Sequence, residues 1–178
     1  YGVLFRPLAW PDGDALIRVE ETRGGQRGRI PWTISNATYL AWKANADTVD
    51  ALGAWRVLGQ GLRVGDGPDA QRVDVAAITP SLMQVLRASP QLGRPFRDDD
   101  AATPTSSTVL LSHGLWVRAF GGRPDVVGQT MRLDGRPHTV IGVMPEAFAF
   151  PDRAAQLWLP MHVMPVLGEG GMRRVMIF

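Results

Sequence analysis

VLLSHGLWVRAFGGRPDVVGQTMRLDGRPHTVIGVMPEAFAFP, running from Val109 to Pro151, is the stretch whose reading decides the fold. Val109–Leu111 is a short apolar run suited to a buried strand. Ser112 stands where a helix N-cap belongs, its hydroxyl placed to accept from an orphan N–H of the first turn. Leu115, Trp116 and Ala119 follow at helical spacing, and Phe120 runs into the stop signal Gly121-Gly122. Pro124 opens a short helical turn through Val127, where its missing N–H costs nothing. Gln129–Leu133 and His138–Val143 read as two strands around Asp134-Gly135, a pair that tolerates the positive φ angles of a tight hairpin. Pro145 closes the unit.

Before this stretch, Ala15–Glu20 alternates weakly and reads as a strand, and Arg23–Arg29 reads as a solvated Gly/Arg loop. Ser35 caps a helix running to about Ala46, with Ala37, Leu40, Ala41 and Ala44 as its apolar stripe. Val49, Leu52 and Trp55 extend that pattern into a second short helical turn. Arg56–Val64 and Gln71–Ile78 read as an antiparallel hairpin across Gly65-Asp66-Gly67-Pro68. Thr79-Pro80 starts another helix, whose buried face is Leu82, Met83, Val85 and Leu86. Ala88–Phe96 is a turn-rich link, and Asp98-Asp99-Asp100 marks a subdomain boundary. After the central unit, Phe148, Phe150 and the run Gln156–Leu159 with Trp158 supply more core. A Gly-rich loop then leads to Arg173–Phe178, a strand that stops on the last residue. That ending predicts a chain cut inside its domain, with a sheet edge left open to pair with another chain.

The composition is globular: 45% hydrophobic, 20% charged, with 20 glycines and 14 prolines that call for many turns. At 178 residues the chain forms one domain or two small ones and buries roughly 70% of its extended surface. The pI of 9.7 comes with a net charge of only +2, because the basic residues are arginines apart from Lys43 and little titrates between His and Arg. They are scattered, so no nucleic-acid footprint reads from them. No run has the length and apolarity of a membrane helix, and no leader peptide reads at the start. Tyr1–Pro11 is apolar and aromatic; it reads as an edge segment on the core, or as chain emerging from a membrane interface. Zero cysteines exclude disulfides and thiolate chemistry.

Candidate chemistry is thin. Leu111-Ser112-His113-Gly114 sits at a strand-to-helix junction, where a hydrolase nucleophile belongs. That elbow needs a small residue two before the serine, and Leu110 stands there. His113 is only a neighbour, whereas a triad histidine comes from elsewhere in the fold. Asp98–Asp100 lacks the alternating donors, central Gly and closing Glu of a calcium loop. It reads as a solvated acidic loop. His113, His138 and His162 have no metal-ligand spacing, and Gly121-Gly122 lacks the Lys and Ser/Thr of a P-loop. The residues therefore give no catalytic, cofactor or metal site.

With these residues laid out, SxxLWxRxFGGxPxVVGxxxxLDGxPxTVIGVMPxxFxFP (Ser112 to Pro151) resembles the periplasmic core domain of MacB-type, FtsX-like ABC transporter permeases, most of all the acidobacterial duplicated orphan permeases. LFRPLAWPDGDALIRVEET is similar to the segment such permeases place after their first membrane helix. ISNATYLAWKANADTVDALGAW and ITPSLMQVLRASPQLGRPF resemble their first two extracytoplasmic helices. Ala37 departs from a frequent family proline, and Ala88-Ser89 from a commoner Gly-Val turn; both lie in connections.

The resemblance implies an α+β domain outside the cytoplasmic membrane, held between two membrane helices. It implies a porter-like subdomain, 1–97 with 152–178, and a smaller inserted Sabre-like subdomain, 98–151. It also implies no cofactor and no enzyme activity of the domain's own. A cytoplasmic ATP-binding subunit or domain would drive it, with a second permease copy or half and a periplasmic partner protein as further partners. A soluble small-molecule or peptide-binding domain is the alternative, and it requires a lined apolar pocket.

Overall fold

The computed structural model describes residues 16–19, 22–23, 26–27, 34–45, 47, 49–65, 70–164 and 174–177. The apolar start at Tyr1–Pro11 and the Gly-rich loop before the last strand lie outside these. Of the predicted Ala15–Glu20 strand, residues 16–19 are described: 16–18 are irregular and Val19 makes an isolated bridge, so no regular strand forms there.

In chain order the strands are β1 (Thr22–Arg23), β2 (Gln26–Arg27), β3 (Ile34–Ser35), β4 (Ala54–Val64), β5 (Gln71–Ile78), β6 (Leu92–Gly93), β7 (Thr108–Leu111), β8 (Thr130–Leu133), β9 (Arg136–Val143), β10 (Ala155–Pro160) and β11 (Arg174–Ile177). The helices are α1 (Asn36–Asn45), α2 (Pro80–Val85) and α3 (His113–Phe120), with 3-10 turns at Asp98–Ala101 and Pro124–Val126. Strands and helices are mixed, as the sequence predicts. β1 and β2 pair antiparallel where a structureless loop was expected.

The other nine strands share one sheet in the order β3-β11-β4-β5-β10-β7-β9-β6, with β8 pairing both β9 and β4. That double pairing closes β4, β5, β10, β7, β9 and β8 into a ring. Alternation along each strand then separates two cores. Val73 and Val75 of β5, Val109 and Leu111 of β7, and Leu157 of β10 join Met131, Leu133, Val140 and Val143 in one cluster. Leu58, Leu62 and Val64 of β4 pack against it, as do Leu115 of α3 and Val126. Ala76, Ile78, Leu110 and Trp158 point the other way and pack with Trp55, Phe148, Phe150 and the α2 face of Leu82, Met83 and Leu86.

Two irregularities keep the alternation correct. Leu58 pairs with Val75 and Leu62 with Val73, so the register shifts by two residues between them and both leucines stay on the face of Val73 and Val75. In β9 the register slips at Ile141, so Val140 and Val143 both face the ring core.

Several local expectations need correction. Residues 51–53 are irregular and Trp55 is in β4, so the second helical turn does not form. The reason is Thr79. Its hydroxyl accepts from Ala54 N–H at 2.9 Å and its own N–H donates to Ala54 O at 2.9 Å, which starts β4 at Ala54. Thr79 therefore does not cap α2 with its side chain. Helix α1 is capped by Ser35 as expected, with Thr38 N–H on Ser35 Oγ at 3.1 Å. Its alanine stripe faces outward, however: Ala37, Ala41 and Ala44 are exposed, while Asn36 and Tyr39 are buried. One aromatic ring carries more buriable area than three methyl groups, and Tyr39 packs with Ile34, Ala54 and Met161. The link Ala88–Phe96 contains strand β6, paired with β9. β11 is paired on both sides, to β3 and β4, so the last strand is not the open edge that the sequence suggests.

Candidate functional site

The serine that invited a hydrolase reading is a cap. Ser112 Oγ accepts from Leu115 N–H at 3.1 Å at the start of α3, and Gly121 ends that helix at φ +64. His113 stacks edge-on against Trp116, with ring centroids 5.4 Å apart. His138 Nδ1 lies 3.0 Å from Arg136 O, and His162 Nδ1 lies 2.7 Å from Ala101 O. Each histidine thus has a local structural partner. Ser112→Ala should cost about 1 kcal/mol, read as a fall of roughly 2–4 °C in the melting temperature. A hydrolytic role would instead leave stability intact and remove an esterase activity.

The acidic run is not the solvated loop that the sequence suggests. Asp98 and Asp99 are exposed, but the Asp100 side chain is 8% accessible and grips Arg94 with two bonds, 2.6 and 3.1 Å long. Arg97 N–H donates to the same carboxylate at 2.8 Å. Burial pushes the Asp100 pKa up, but the Arg94 hydrogen bond, the Arg97 N–H, the charge of Arg94 and the Thr108 hydroxyl together hold it below its ordinary value. The link ties the exit of β6 to the 3-10 turn. A carboxylate with a depressed folded pKa stabilises the fold fully above its ordinary value of about 4, and that contribution fades as pH falls through the lower folded value. Asp100→Asn should therefore lower stability at pH 7 by about 1–3 kcal/mol. It should also flatten the acid limb of a melting-temperature profile.

Among the described residues no group of three or more His, Asp or Glu stands close enough to hold a metal ion. A cleft of about 450 Å³ opens beside α2, lined by Met83, Gln84, Arg87, Ser89, Pro95 and Phe96. Pro80 and Ala88 complete the lining, which mixes polar and apolar side chains; Met83 and Phe96 are only 4% accessible, while Pro80, Ala88 and Pro95 are more open.

What the structure does assemble is the ring closure, which the sequence did not reveal. Asp134 and Gly135 make the hairpin turn with φ +47 and +74. The tip docks on β4. Asp134 N–H donates to Arg63 O at 2.9 Å, Gly65 N–H to Arg132 O at 3.0 Å, and Arg63 N–H to Asp134 Oδ1 at 2.8 Å. A second close approach lies at the antiparallel β6–β9 pairing, where Gly93 faces Gly142. A Cβ on Gly93 would sit 2.1 Å from Ile141 O, and one on Gly142 would sit 2.8 Å from Leu92 O. The Asp-Gly pair signalled a turn. Nothing local signalled what the aspartate would bind.

The chain is similar in fold to the extracellular domain of YknZ, a noncanonic ABC-type transporter from Gram-positive bacteria. The TM-score is 0.57 at 21% identity, over 74% of this chain and 64% of that one. The periplasmic region of MacB from Actinobacillus actinomycetemcomitans gives a TM-score of 0.55 at 18% identity, over 81% and 64%. In sequence, 88 residues are 33% identical to the Pseudomonas syringae pv. syringae (strain B728a) protein named "Probable syringafactin export ATP-binding/permease protein SyfD". That match takes in 48% of this chain and 13% of the relative, so the chain corresponds to a small part of that protein. The family pattern of the MacB-like periplasmic core domain matches residues 5–177, nearly the whole sequence. The chain belongs to the MacB-like periplasmic core domain family.

Proposed function

We propose that this chain is the extracytoplasmic domain of an ABC-type export permease. In this reading it does no covalent chemistry of its own and transmits ATP-driven motion of membrane helices to cargo or to a docked partner protein. The observation that carries the reading is the family match over residues 5–177. The chemistry of the chain supports it: Ser112, Asp100, His138 and His162 all have structural hydrogen-bond partners. None of the described helices is long and apolar enough to cross a membrane, which suits a domain placed between membrane segments.

The partners follow from the same reading. They are a cytoplasmic ATP-binding subunit or domain acting through the membrane helices, a second permease copy or half, and a periplasmic partner protein. We also keep the division into a porter-like part, 1–97 with 152–178, and a Sabre-like part, 98–151, as a proposal. The two parts would be subdomains on one sheet, since β7 of the second pairs with β10 of the first and β8 with β4.

Domain exchange tests the function. Replacing residues 5–177 in the full-length permease with the corresponding domain of a relative that exports a different cargo should preserve ATP turnover and change the cargo or partner requirement. Export with unchanged cargo range and partner requirement would defeat the reading.

A further inference from the structure

We propose that the β4–β8 joint is a latch: the β8–β9 hairpin lifts its tip from β4 while the rest of the ring stays paired. This inference goes beyond the transmission reading and stands without it, because it concerns the ring alone.

The backbone of the joint meets at one paired position, Val64 opposite Leu133. Among the described residues, three hydrogen bonds join Arg63, Gly65, Arg132 and Asp134 there. All four of these residues are exposed, so water takes over each bond as it breaks, and the apolar cost of opening falls on Leu133 and the half-buried Val64. The β7–β10 joint is also short, with Leu157 opposite Leu111 and Trp158 opposite Leu110. Those four side chains are fully buried, and parting them would wet both cores at once.

The neighbouring backbone favours release at β4–β8. The register of β4 on β5 shifts between Leu58 and Leu62, so β4 is irregular just before the joint. On the other side, β8 pairs with β9 along its whole length, from Thr130–Thr139 to Leu133–Arg136, so the hairpin moves as a unit. Asp134 sets the latch. It both donates to and accepts from the backbone of Arg63, and its side-chain bond disappears if the tip shifts by one residue. Leu133, 2% accessible just behind the tip, is what the raised hairpin uncovers.

Native-state hydrogen exchange of the 178-residue chain by NMR tests the latch. The Arg63, Gly65 and Asp134 amides should exchange about 100-fold faster than those of Ser112, Met144 and Met161, with little dependence on low urea, the signature of a local opening. Asp134→Ala should speed exchange at Arg63 and Gly65 by about tenfold while that exchange stays nearly independent of low urea. If all six amides exchange at one urea-dependent rate, or if Asp134→Ala leaves exchange at Arg63 and Gly65 unchanged, the tip does not open on its own and the latch does not exist.

Discussion

Gly93→Ala and Gly135→Ala should differ several-fold in their cost, although the two glycines have almost the same backbone angle. Gly93 has φ +76 and Gly135 φ +74, so an added methyl group forces either residue into the left-handed region, at about 1–2 kcal/mol. At Gly135 nothing lies within 4 Å of the new Cβ, and that strain is the whole effect. At Gly93 the Cβ would meet Ile141 O at 2.1 Å and Gly142 Cα at 2.8 Å, both backbone atoms of β9. A flexible side chain moves aside, but a paired strand does not. Overpacking adds about 1–3 kcal/mol or more, for a total of about 2–5 kcal/mol or more. Urea unfolding of the two variants measures the difference directly. Equal midpoints would show that β6 does not approach β9 as closely as described.

Trp158→Ala should be the most damaging core substitution, at about 3–5 kcal/mol, a large fraction of the stability of a typical domain. Trp158 is fully buried between β5 and β7, with the Phe148 ring edge-on at 5.1 Å. Its indole N–H donates to Phe150 O at 2.8 Å. Trp158→Phe separates packing from hydrogen bonding. It keeps an aromatic ring but strands the buried Phe150 carbonyl, which costs about 1–3 kcal/mol. Thermal melts should rank wild type above Trp158→Phe and Trp158→Phe above Trp158→Ala. A Trp158→Phe variant as stable as wild type would mean that water or another donor reaches the Phe150 carbonyl.

The residues that were legible in the sequence are those whose signals act within a few positions. Ser112 and Ser35 cap their helices, Gly121 ends α3, Asp134-Gly135 turns the hairpin, and Gln71–Ile78 bounds β5 as predicted. Each depends on a bond or a φ angle fixed by near neighbours. The misreadings have distant causes. Trp55 looked helical with Val49 and Leu52 because the spacing fits, but Thr79, far along the chain, holds Ala54 in a strand. The alanine stripe of α1 looked like a buried face because period alone does not weigh area, and Tyr39 took the core instead. Asp100 looked solvated because its partner Arg94 precedes it across a predicted link. The ring was not legible at all. It depends on β10 inserting between β5 and β7 and on β8 reaching β4, and no local pattern encodes strand order.

The candidate site divides the same way. The sequence offered no catalytic spacing for Ser112, the histidines or the aspartates, and the structure gives Ser112, His138, His162 and Asp100 hydrogen-bond partners. It did not show that Asp134 would bind Arg63, or that Gly93 and Gly142 would face each other. Those features are built between strands far apart in the chain.

The central claim is that the domain moves with the ATP cycle of its permease, and a distance measurement tests it most directly. The chain has no cysteine, so Lys43→Cys on the exposed side of α1 gives one labelling site per copy in a full-length permease otherwise freed of cysteine. Electron–electron resonance between the spin labels of two copies in lipid nanodiscs should give distributions displaced by several ångströms between the nucleotide-free and ATP-trapped states. Superimposable distributions in a permease that binds and turns over ATP would contradict the account.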